Sequence, residues 1–228
     1  ATVRSGADWF EGLEGPWAEL LAASRFPTPF HSLDWLRSWH EGPGSGRQPY
    51  VFLLYEGGEL VGAMPLTRSR LPWRTLRSMG AGASDYLHPL VRPGYEATFA
   101  AAFMEHCTAE RAGDLLDLHQ LREGDPLLSV VPNSNRTLQA TCPVLELPKT
   151  FDAYLATLSK SLRYDARGLE RDRLRSRRAK VRFAATEQEA ERFLQCFFRL
   201  HARRWLRRGL PGAFLLGSTR AMHQRFVA

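Results

Sequence analysis

Apolar residues recur along this chain in two rhythms, a helical one at its ends and an alternating one in between. Trp9, Leu13, Trp17, Leu20 and Leu21 form a helical stripe, interrupted by Gly12, Gly15 and Pro16. After Pro27 and Pro29, Ser32 is placed to cap a short helix carrying Leu33, Trp35, Leu36 and Trp39. Gly42 to Gly46 is a break. Tyr50–Tyr55 and Leu60–Leu66 are apolar runs joined by Glu56-Gly57-Gly58-Glu59. A Gly-Gly pair there predicts a hairpin, because both central turn residues need positive φ. Pro65 is expected to end the pairing of the second strand or to lie at an edge.

A third strand is expected over Thr75–Met79, followed by the turn Gly80-Ala81-Gly82 and by Ser84-Asp85-Tyr86. Pro89 and Pro93 punctuate an extended stretch. A helix is expected from Tyr95 to Glu110, with Phe99, Phe103 and Met104 inward. Leu115 to His119 alternates like a strand, which reads His119 as a core histidine. Asp125 can cap a short helix with Pro126 at its first position. Thr141–Leu147 reads as a further strand, closed by Pro148.

A second unit is expected from Thr150. Phe151, Tyr154, Leu155 and Leu158 make a helical stripe, and Lys180–Ala184 reads as a short strand. Thr186 and Glu189 have capping-box spacing at the head of a long helix. That helix carries two adjacent stripes: Phe193, Phe197 and Leu200, and Leu194, Phe198, His201 and Trp205. So wide an apolar face predicts packing on two sides. Gly209, Pro211 and Gly212 end it, and a last helix covers Ser218–Val227. One strand and three helices hold no sheet of their own, so the natural protein is expected to continue past Ala228.

Composition adds bounds. The 228 residues are 44% hydrophobic and 24% charged, as in ordinary globular proteins. No apolar run is long enough to span a bilayer and no secretory leader opens the chain, so the expected setting is the cytoplasm. Three dispersed cysteines, Cys107, Cys142 and Cys196, read as reduced and mostly buried thiols. The scattered histidines give no metal spacing, and no metal is expected. From Lys160 to Arg182 there are ten basic and three acidic residues, a surplus equal to the whole chain's net charge of +7. Arg163, Arg167, Arg171 and Arg175 fall four apart on one helix side. The stripe is either a solvated face or a site for an anionic partner: phosphate groups, an acidic polysaccharide, tRNA or an anionic lipid surface.

Several short stretches resemble one family. They are Pro29 to Leu36, Gly58 to Leu66, Gly82 to Leu87, Leu162-Arg163-Tyr164, and Leu200 to Trp205. In this order they resemble the CelD/BcsL group of GNAT-type acyltransferases, a group related to the Fem-type aminoacyl transferases. The resemblance covers nearly the whole chain. It implies an α/β fold of the GNAT kind, with a central mixed, mostly antiparallel sheet flanked by helices. It also implies tandem domains, a first over 1–149 and the incomplete start of a second over 150–228. The expected reaction is transfer from acetyl-CoA or another acyl-CoA to an amine or hydroxyl, in polysaccharide synthesis. The acyl-CoA site is expected in the part of the second domain that lies past Ala228. Fem-like transfer from aminoacyl-tRNA and a non-catalytic polyanion-binding module are the alternatives.

Site expectations follow. Arg77-Ser78-Met79-Gly80-Ala81-Gly82 fits the GNAT pyrophosphate pattern, making Arg77, Gly80 and Gly82 cofactor-loop candidates, although no helix follows at once. Asp85 can take or orient a proton and Tyr86 can give one, with Ser84 beside them at the acceptor. His201, Arg204 and Trp205 line a groove or form an aromatic helix face. Arg163, Arg167 and Arg171 are the substrate-side cations. The structural alternatives are a strand-ending turn, a capping Asp with a bracing Tyr, and a solvated helix.

Overall fold

A computed structural model describes residues 1–70, 72–131, 136–176 and 179–227, without the side chains of 173–175. It contains two compact units, Ala1–Thr137 with Glu187–Ala228, and Leu138–Thr186.

The first unit is built on the hairpin of β2 (Gln48–Glu56) and β3 (Glu59–Ser69). Gly57 and Gly58 turn the chain at φ 57° and 89°, as the Gly-Gly pair predicts. β1 (Thr2–Arg4) pairs with β2, and β4 (Thr75–Ser78) and β5 (Leu90–Val91) both pair with β3, all antiparallel. β6 (Leu115–Asp117) runs parallel to β4, so the sheet is mixed and open.

β2 reads as a continuous apolar run because both its faces are covered. Val51 and Leu53 point into a cluster with Trp17 and Leu20 of α1 (Glu14–Ala23) and Trp35, Leu36 and Trp39 of α2 (Leu33–His40). Tyr50, Phe52 and Leu54 point to the other face, against Phe99 and Phe103 of α3 (Glu96–Ala109). The Phe52 ring lies 5.6 Å from that of Phe99 and 5.3 Å from that of Phe103. Each such side chain contributes about 1.5–3 kcal/mol through burial. Ser32 caps α2 as expected, its hydroxyl accepting from the Trp35 amide.

Pro65 does not end its strand. It pairs with Val51 in mid-β3, and its carbonyl accepts from the Met79 amide. A residue's N–H and C=O leave a strand on the same side. The missing N–H therefore falls where β3 passes from β5, at Gly62 and Ala63, to β4, at Leu66. No ladder bond is lost there.

α6 (Glu187–Leu206) and α7 (Gly217–Val227) belong to the same unit. Met222 of α7 is fully buried, and the Trp35 ring meets His223 at 5.6 Å and Phe226 at 5.0 Å. α6 does not bury the wide apolar face that the sequence leads one to expect. Phe198 is buried, while Phe193, Phe197 and Leu200 stay exposed. Phe197, Phe198 and His201 all meet the Phe214 ring, and Phe198 also meets His223 of α7.

The second unit holds α4 (Phe151–Thr157), α5 (Lys160–Leu169) and a wider helical turn over Glu170–Arg175. Thr150 and Ser159 cap the two helices. The strands expected over Thr141–Leu147 and Lys180–Ala184 do not form. Val144, Leu147, Val181 and Phe183 stand in solvent. An alternating run becomes a strand only when a neighbouring strand takes its backbone groups, and neither run joins the sheet. Cys142 and Cys196 are exposed rather than buried. Burial pushes the half-buried Cys107 thiol up to about 11. Among the described residues, no helix is long and apolar enough to cross a membrane.

His31 ties the entry turn to β5. Its Nδ1 faces the Thr28 hydroxyl at 2.8 Å and its Nε2 the His88 carbonyl at 3.0 Å. Burial, then the neighbouring His88, lowers its pKa to about 4, against the opposing hydrogen bond to His88. Above pH 6.5 neither the folded nor the unfolded ring is charged. Between 6.5 and 4 the unfolded ring alone binds a proton, so stability falls with pH. Urea unfolding is expected to lose about 3 kcal/mol over this window through His31, and the loss should shrink in His31→Gln. Equal pH slopes in the two proteins would contradict this account.

Candidate functional site

The parallel pair β4 and β6 places Arg77 directly opposite Asp117. The guanidinium grips one carboxylate oxygen, Nη2 at 2.6 Å and Nε at 2.8 Å from Oδ2. Two residues on, the side chain returns to the same side of the extended chain, and His119 Nε2 lies 2.9 Å from Asp117 Oδ1. Burial alone would raise the Asp117 carboxyl, but hydrogen bonds from Arg77 and His119 outweigh it and hold the group below its ordinary range. An ionised carboxylate only accepts. In the neutral imidazole, His119 therefore carries its proton on Nε2. Oriented this way, an imidazole takes a proton well, since Asp117 stabilises the cation formed.

This triad borders a cavity of about 370 Å³ at the carboxyl ends of β4 and β6. Trp39 and Leu87 form its apolar wall. Arg47, Arg77, His119 and Gln120 form the polar one, and Ala81 and Gly82 lie between them. A smaller cavity of about 90 Å³ lies beside Phe26, His88, Arg122 and Asp125. Burial raises the Asp125 carboxyl to about 6, against the hydrogen bond from the Leu127 amide that it caps.

The glycine turn is held against α2. Gly80 has φ +94°, and a Cβ there would meet Ser84 Oγ at 2.6 Å. Ser84 is buried, and its hydroxyl accepts from the Trp35 indole N–H at 2.8 Å. Asp85 is exposed and accepts from Gln120 Nε2 at 3.3 Å, which sets it beside the cavity. Tyr86 turns the other way. It sits at φ 57°, a conformation costing roughly 1 kcal/mol or more, and its ring lies 5.6 Å from the Arg122 guanidinium. The two catalytic candidates thus face different neighbours.

The remaining candidates lie elsewhere. His201 and Trp205 pack ring to ring at 5.9 Å, with Phe214 at 4.7 Å from His201. Arg204 is exposed, and none of the three lines the cavity. In the second unit, Arg163 donates to the Leu158 and Ala156 carbonyls, closing the end of α4. Arg171 is paired with Asp172 at 2.8 Å. Arg167 is exposed, and the Arg175 side chain lies outside the described residues.

Sequence reasoning missed Trp39, Arg47, Asp117 and Gln120, and read His119 as core. One signal was present, because the alternation of Leu115 to His119 puts Asp117 and His119 on one face.

The Arg77–Gly82 loop does not fit a coenzyme A pyrophosphate. Its Ala81 and Ala83 amides are turned onto the Ser78 and Gly80 carbonyls. The next helix, α3, begins only at Glu96, so no helix starts from the loop to present its N-terminus there. Among the described residues, no group of three or more His, Cys, Asp or Glu is placed to hold a metal ion.

Fold and site define a mixed α/β protein with an open mixed sheet flanked by helices and a basic cavity at one end of it. No protein-family model, no curated protein and no solved structure matches the chain.

Two measurements follow. Calorimetry with acetyl-CoA should show no micromolar binding to this chain. Tight binding that Gly80→Asp abolishes would place the pyrophosphate in the loop after all. In heparin titrations, Arg167→Gln should reduce the log–log salt slope by about one unit. Arg163→Gln and Arg171→Gln should reduce it far less, since both arginines already have partners. Equal losses at all three positions would mean that the stripe acts as a whole.

Proposed function

We propose that this chain is the acceptor-binding part of a GNAT-like acyltransferase of the CelD/BcsL kind. The acyl group passes to an amine or hydroxyl of a small acceptor, and the resemblance points to saccharide chemistry. The observation that carries this reading is the Arg77–Asp117–His119 triad at the mouth of the cavity. An acceptor in the cavity meets an imidazole whose tautomer is set by Asp117. His119 takes the proton from the attacking N–H or O–H as the new bond forms. Arg77 holds Asp117 in place, so it acts as a positioning residue. Asp85 and Gln120, bound to each other, form a polar rim that can orient the acceptor. Acyl-CoA as the donor rests on the resemblance alone, and no step here is derived through it.

Incubation with a small acetyl thioester at millimolar concentration, a donor that needs no coenzyme A site, and a panel of amino and hydroxyl sugars tests the reading, with acetylated product detected by mass spectrometry. Transfer is expected for at least one acceptor. It should fall by about 10²–10⁴-fold in His119→Gln, the usual contribution of a positioned base, and by less in Asp117→Asn. No product from any acceptor, or a His119→Gln protein as active as the wild type, would overturn it.

A further inference from the structure

We infer that the cavity receives an anionic sugar, one ring bearing a phosphate or carboxylate, with Arg47 as its counter-ion. The inference deepens the acceptor-binding reading and rests on it for the role of the site.

Charge is the first argument. Arg77 faces the cavity but is neutralised by Asp117, which also holds His119. Arg47 is exposed at the rim and forms no ion pair among the described residues. The lining therefore carries one uncompensated positive charge. A neutral ligand would leave it unused, whereas a phosphate or carboxylate would form a charge-assisted hydrogen bond with it.

Trp39 also lines the cavity. The residue is 3% exposed, and its indole N–H has no hydrogen-bond partner among the described residues. Leaving a buried donor unsatisfied is costly. The N–H itself is closed to solvent, so a ligand in the cavity meets other atoms of the indole. Gly44 gives the indole its room, since a Cβ there would come within 2.4 Å of the ring.

Size and texture complete the case. A cavity of about 370 Å³ sits at the small end of ligand sites, which span roughly 300–1,000 Å³. That suits one sugar ring and its anionic group rather than a polymer. The Trp39 and Leu87 wall suits the C–H face of a ring, and the Gln120 amide suits its hydroxyls. The lining is rich in donors, and the neighbouring Asp117 carboxylate, which is not part of it, is held by Arg77 and His119.

Calorimetry at neutral pH, without acyl donor, tests this. The probes are glucose 1-phosphate, glucuronate, glucose and inorganic phosphate, against wild type and Arg47→Gln. At least one anionic sugar should bind about tenfold or more tightly than glucose, the scale of one charge-assisted hydrogen bond. Arg47→Gln should remove that advantage without changing the melting temperature, and added salt should shrink it. The phosphate and carboxylate arms show which anion is preferred. Glucose binding as tightly as both anionic sugars, an unchanged Arg47→Gln, or inorganic phosphate matching the sugar phosphate would each overturn the inference. Acyl transfer is measured separately. Transfer without anion preference would sink this inference alone, and anion binding without transfer would sink the acyltransferase reading alone.

Discussion

Strand β3 is hydrogen-bonded on both edges, and its change of partner along one edge shapes the rest of the first unit. Near its start it meets β5 at Gly62 and Ala63, and further on it meets β4 from Leu66 to Ser69. Pro65, with no N–H to offer, marks the exchange. The chain between β4 and β5 must leave the sheet there, and it forms the Gly80–Ser84 turn. Because β6 then joins β4 in parallel, two carboxyl strand ends lie side by side and the cavity opens beyond them. Gly62 shows how tight the arrangement is, since a Cβ on it would lie 2.2 Å from the Phe99 ring. Overpacking of that kind costs about 1–3 kcal/mol.

The chemistry depends on this register. Arg77 and Asp117 are paired residues of the parallel ladder, so their contact is set by backbone hydrogen bonds rather than by long flexible side chains. His119 follows at the same strand parity. A rigid ladder thus delivers a cation, a carboxylate and an imidazole to one edge, as preorganised chemistry requires. By contrast Ser84, whose hydroxyl is taken by Trp35, holds the loop to α2 and has little freedom for substrate.

The two ends of the chain behave differently from its sheet. α7 completes the core through Met222 and through the contacts of Trp35 with His223 and Phe226. α6 leaves Phe193, Phe197 and Leu200 exposed. Among the described residues of the second unit Leu155 is the buried apolar one, and the basic stripe is partly engaged, Arg163 by helix-end carbonyls and Arg171 by Asp172. Charge counted along a sequence overstates the charge a surface offers, because side-chain partners are set in three dimensions.

What the sequence determined by itself was local. The Gly57-Gly58 hairpin, the Ser32 cap, the Asp125 cap, the helix around Phe99 and Phe103 and the final helix each depend on residues a few positions apart, and each was legible. β1 and β5, of three and two residues, were not, because so short a segment holds no periodicity and exists only through its partner. Thr141–Leu147 failed in the opposite sense, having strand composition but no strand to pair with among the described residues. Asp117 and His119 could be placed on one face by alternation. That Arg77 would stand across from them, 40 positions away, and that Arg47 and Trp39 would close the same cavity, was decided only by the parallel pairing of β4 with β6. Pairing is a long-range contest among backbone groups, and no local pattern records its outcome.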